Sequence, residues 1–156
     1  MISEENTLST TITASTQTER IAYGRLWWVS LLAIAASVVA NTIIVRIAAS
    51  LFSVPPEFRP FTFPQYTFLT VVGVVGAVIV FAVVGRFAKR PIRTFTWIAV
   101  ATLVLSWLPD FGLLAAGERA PFPGVSIQSV GTLVFMHVVT AAICVGLLTR
   151  LGGKKE

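Results

Sequence analysis

The chain has 156 residues, 55% of them hydrophobic and only 12% charged, with a mean hydropathy of +0.82. A soluble domain carries about 25% charged residues, so these polar groups would not cover a water-facing surface, and a bilayer must supply the apolar solvent. The net charge of +5 does not point to nucleic acid, because the basic residues cluster beside the ends of apolar runs, as inserted membrane proteins arrange them.

Residues 1–22 are rich in Ser and Thr and lack apolar periodicity, which predicts a disordered tail. They are no signal peptide, since no apolar stretch of about 7–15 residues follows a short basic start. Four apolar runs come next, at about 26–52, 68–87, 94–116 and 126–149. Each reaches the length of about 20 residues needed to cross a bilayer. The predicted fold is all-α, an antiparallel bundle of four transmembrane helices over residues 23–151, with a basic tail at 152–156.

The first span carries Ala33, Ser37 and Asn41 four residues apart, hence on one helical face, and Arg46 beyond them. Polar groups at such depths are expensive and tend to pair inside the protein. The loop at 53–67 interleaves Pro55, Pro56, Pro60 and Pro64 with Phe58, Phe61, Phe63 and Tyr66. Proline prevents regular helix and aromatics favour the membrane interface. Two readings stay open for it: a loop lying on the outer headgroups, or a lid over the bundle.

The second span offers Gly73 and Ala77, with Gly76 beside them, as a small-residue contact between helices. Arg86, Lys89, Arg90 and Arg93 fill the next loop. With Arg20, Arg25, Arg150, Lys154 and Lys155 they face Arg59 and Arg119 on the other side. That asymmetry predicts that both termini are cytoplasmic.

The third span repeats the polar stripe with Thr102, Ser106 and Asp110. Pro109 removes one helical hydrogen bond and frees the carbonyl of Leu105. Stopping the helix there would leave roughly 22 Å to cross a core of about 30 Å, so the helix is predicted to continue. The fourth span holds His137, Thr140, Ala141 and the lone cysteine, Cys144. One cysteine excludes an intrachain disulfide and a cysteine zinc cluster, and a packing role suits it.

Counting 1.5 Å per residue puts Arg46 and Asp110 roughly 6–9 Å below the outer boundary, and Asn41 and His137 roughly 14 Å below it. The matched depths suggest an Arg46–Asp110 pair, the guanidinium fork taking the carboxylate. The alternative is that Arg46 snorkels alone and Asp110 is solvated. His137 is the only histidine, so it is either a proton carrier or a hydrogen-bonded core residue.

Ser106-x-x-Pro109-Asp110, Met136-His137 followed by Ala141, Asn41 and the glycine-rich second span together resemble an uncharacterised family of small four-helix membrane proteins, common in actinobacteria. The resemblance covers about residues 25–150. It implies a four-span fold in a bacterial plasma membrane and brings no known activity.

Asn41, Arg46, Asp110 and His137 are therefore the candidate ligand- or proton-handling residues, with Ser37, Thr102, Ser106 and Thr140 as a supporting polar stripe. One reading is a membrane protein that binds or moves a small molecule or ion through an outward-facing pocket. The other is a structural or accessory subunit whose polar residues only clasp the helices. No paired carboxylates, metal-ligand cluster or phosphate-cradling loop supports an enzyme, and no catalytic residue, metal or cofactor is expected. The expected partners are the lipid bilayer and either further copies of the chain or another membrane protein.

Overall fold

The computed structural model describes residues 20–154 apart from Pro56; most of the predicted N-terminal tail lies outside these. Four helices form the body: α1 (Tyr23–Phe52), α2 (Phe63–Phe87), α3 (Pro91–Ala116) and α4 (Ile127–Leu151). All four are long and apolar enough to cross a membrane. Each helix packs on its sequence neighbours and α1 closes on α4, while α2 and α4 also touch across the bundle. Consequently α1 and α3 sit on opposite sides.

The helix starts explain where the spans differ from those predicted. Pro64 lies in the first turn of α2, where its missing N–H has no intrahelical partner to lose. The helix thus begins at Phe63, inside the stretch expected to be loop. Pro91 opens α3 in the same way, leaving only residues 88–90 between α2 and α3. The α3 helix runs through Pro109 as expected. Ser126 caps α4: its Oγ accepts from the Ser129 N–H, and Ser129 Oγ accepts from the Ser126 N–H at 2.8 Å.

At one end, here the terminal end, β1 (Arg20–Ile21) pairs antiparallel with β2 (Gly153–Lys154). This short clamp joins the two segments that sequence placed in separate tails. It packs closely, since a Cβ on Gly85 would collide with Ile21 Cδ1, and one on Gly153 would fall 3.1 Å from Ile92 Cδ1.

Two apolar clusters fill the bundle. The terminal one includes Leu26, Val29, Phe81, Phe95 and Leu148, with Phe81 and Phe95 edge-to-face at 4.9 Å. The distal one comprises Val45, Phe58, Tyr66, Leu133 and Met136. Phe58 comes from the proline-rich loop and is fully buried, edge-to-face with Phe61 at 4.9 Å and Phe122 at 5.6 Å. The loop therefore plugs the distal end with this ring instead of resting all its aromatics at the interface.

Candidate functional site

Between the two apolar clusters lies a polar layer. On α1 the buried residues Val29, Ala33, Ser37, Asn41 and Val45 recur every four positions, as the small-and-polar stripe predicts. Asn41 is 2% exposed. Its Nδ2 donates to Thr70 Oγ1 at 2.9 Å and to Thr140 Oγ1 at 3.1 Å, tying α1 to α2 and α4. One residue on, Thr42 Oγ1 donates to the Val38 carbonyl, so the Tyr66 hydroxyl, 3.1 Å away, donates to Thr42. Ser37 Oγ and Asn41 Oδ1 are buried without a hydrogen-bond partner.

This node has the composition of a clasp, because one buried amide nitrogen donates to two hydroxyls and so joins three helices. Such bonds contribute about 0.6 kcal/mol on average inside membranes and at most about 1.7. Asn41→Leu is expected near the upper figure, since it removes two bonds. Unfolding of this variant in detergent beside Thr70→Val and Thr140→Val checks it, and the three losses should be non-additive.

A second polar contact joins α3 to α4. His137 Nδ1 lies 2.9 Å from the Leu133 carbonyl oxygen and 3.1 Å from Asp110 Oδ2. Both neighbours are acceptors, so a ring proton sits on Nδ1, directed to the Leu133 carbonyl, with the carboxylate beside it as a second acceptor that becomes an ion-pair partner when the ring is doubly protonated. Asp110 Oδ2 is buried and has no hydrogen bond of its own. The two side chains differ sharply in access: the carboxyl is 8% exposed and the imidazole 40%.

The contact crosses the two predicted depth levels, and side-chain direction explains how. Every helical Cα–Cβ bond leans toward the helix N-terminus. In α3 that lean takes Asp110 toward the terminal end, and in α4 it takes His137 toward the distal end. The two groups approach each other from different Cα heights.

Arg46 does not pair with Asp110. It is exposed, one residue off the buried face of α1, and α1 and α3 are not packed together. The stripe predicted on α3 also fails to point inward. Thr102 is exposed, and Ser106 is half-buried with its hydroxyl donating to the Leu103 carbonyl at 2.7 Å. Only Pro91, Phe95 and Asp110 of this helix are buried. Nor do Gly73 and Gly76 make a helix contact; both are exposed, and a Cβ on either would meet nothing within 4 Å.

Two hollows lie elsewhere, at the distal ends of α1 and α4, and none of Asn41, Arg46, Asp110 and His137 lines them. Sequence reading missed Thr70 and Tyr66, whose spacing with Val74 marks the inward face of α2. It also missed the Leu133 carbonyl, which is backbone and leaves no sequence signal. Among the described residues no group of three His, Cys, Asp or Glu could hold a metal ion.

Fold and polar contacts together define a multi-pass membrane protein built as a four-helix bundle. The chain belongs to a family of unknown function, DUF6069, whose model matches residues 21–154. No curated protein and no solved structure matches it.

Proposed function

We propose that this protein binds or moves a small hydrogen-bonding molecule or ion at the Asp110–His137 pair, with the imidazole exchanging a proton. One observation carries the reading: the carboxylate is buried while its imidazole partner stays 40% exposed within an apolar span. A contact serving only to hold helices would bury both partners, as Asn41 and Thr70 are buried. With Nδ1 committed to Leu133 and Asp110, Nε2 is the ring atom left to meet a ligand.

The site opens toward the outside of a plasma membrane in this reading. Arg25, Arg86, Lys89, Arg90, Arg93 and Arg150 are exposed at the terminal end, and the positive-inside rule makes that end cytoplasmic. Movement of a solute through so small a chain would require further copies, since the sequence shows no inverted repeat.

A thermal-shift scan of small weak acids and amines tests the proposal on wild type, Asp110→Asn and His137→Ala. At least one compound should stabilise the wild type and lose its effect in both variants. Equal stabilisation of all three would refute it. The Asn41 node favours a second reading, a structural subunit of a membrane complex. That reading predicts lower stability in both variants, no ligand effect, and a membrane protein that co-purifies.

A further inference from the structure

The distal ends of α1 and α4 border two open hollows that share Phe52 and Gln128 as walls. The outer one, about 480 Å³, is bordered by Ser53, Val54, Pro55, Gly124, Ser126 and Gln128. The inner one, about 410 Å³, is a groove between the helices, walled mainly by Ile44, Ile47, Ile127, Gly131 and Phe135. The outer one is mainly polar and the inner one mainly apolar, and the two shared walls make them neighbours.

Local conformation builds the polar mouth. Ser53 closes α1 in the left-handed region at φ 50°, which turns the chain across the helix end. Gly124 sits at φ 89°, and a Cβ there would fall 3.0 Å from Pro55 Cδ. The two loops thus approach closely because Gly124 has no side chain. Within the mouth, Ser126 Oγ is held in the α4 cap, and the Thr132 hydroxyl donates to the Gln128 carbonyl at 2.7 Å. The Gln128 amide and the Ser53 hydroxyl keep their hydrogen-bonding capacity.

Among the described residues no charged side chain lines either hollow, although Arg46, Glu118 and Arg119 belong to the same half of the molecule. Charge complementarity therefore selects an uncharged head. The groove faces hydrocarbon, where dispersion packing and not water exclusion favours a fitted chain. Gly131 deepens it, since a Cβ at that position would meet nothing within 4 Å.

From this we infer that α1 and α4 form a binding site for a neutral amphiphile, a membrane lipid whose uncharged hydroxyl-bearing head is bonded by Gln128 and Ser53 and whose acyl chain lies along Gly131. The site shares no residue with the Asp110–His137 pair, so either can fail alone.

A monoacylglycerol with a diazirine in its acyl chain, reconstituted with the full-length protein in phosphatidylcholine nanodiscs, tests the inference by mapping labelled peptides. Labels should concentrate on residues 44–52 of α1 and 127–135 of α4. Gly131→Leu, which fills the groove without meeting any atom at Cβ, should abolish them. Gln128→Leu, an exposed position that leaves the helix cap intact, should reduce them. Even labelling over all apolar faces, including Val104 and Leu108 of α3, would overturn the site as annular lipid only. Equal labelling by the corresponding phosphatidylglycerol probe would overturn the neutral head.

Discussion

Replacing His137 by alanine while Asp110 remains is expected to destabilise the bundle by about 3 kcal/mol. Removing one partner of a buried pair costs about 3–5 kcal/mol because a charge is left uncompensated, and the lower end applies since the imidazole is 40% exposed. Asp110 Oδ2 has no hydrogen bond to fall back on. The effect belongs to the pair and not to the lost imidazole packing, so Asp110→Asn in the same background should recover much of the loss. A double-mutant cycle on unfolding in detergent measures it. Additive losses would mean the two residues act separately.

Phe58→Ala carries the second large effect. A fully buried phenylalanine costs about 3–5 kcal/mol on truncation to alanine. Here the loss should be local, because the ring plugs the distal cluster from a loop and touches Phe61 and Phe122 through aromatic edges. Residues 53–62 should become open to protease while the helices keep their far-ultraviolet signal. Phe63→Ala is the control: that ring is exposed, and its loss should leave cleavage unchanged. Equal protection in the Phe58 variant would show that the proline-rich loop holds its place without the ring.

Much of the fold is legible in the chain because hydrophobic length alone identifies a span, and four such runs appear with short connections. The inward face of α1 is also legible, since Ser37 and Asn41 are polar residues at a four-residue spacing on a helix that packs on both sides. That same pattern misleads on α3. Thr102 and Ser106 share a stripe with Asp110, yet this helix packs mainly on α2 and α4 and leaves its middle turned outward, where Thr102 is exposed and Ser106 bonds its own backbone at Leu103. Rotation of a weakly amphipathic membrane helix is set by its neighbours, and the chain alone does not contain that geometry.

The Asp110–His137 contact illustrates a second limit. Counting Cα heights places the two residues on different levels, and the lean of their side chains along opposed helices closes the gap. Arg46 shows the reverse. Its height matches Asp110, but the topology puts α1 and α3 across the bundle from each other. Proline at α2 is a third case, read as a breaker in the sequence and used in the structure as a helix starter.

His137 is the only histidine of the chain, so a protein labelled with ¹⁵N-histidine yields the signals of one imidazole. Its nitrogen spectrum in a bilayer tests the site most directly. A proton on Nδ1, with ring signals that move in Asp110→Asn and not in Arg46→Gln, is the result these contacts predict. An imidazole protonated only on Nε2, with signals unchanged by Asp110→Asn, would contradict them.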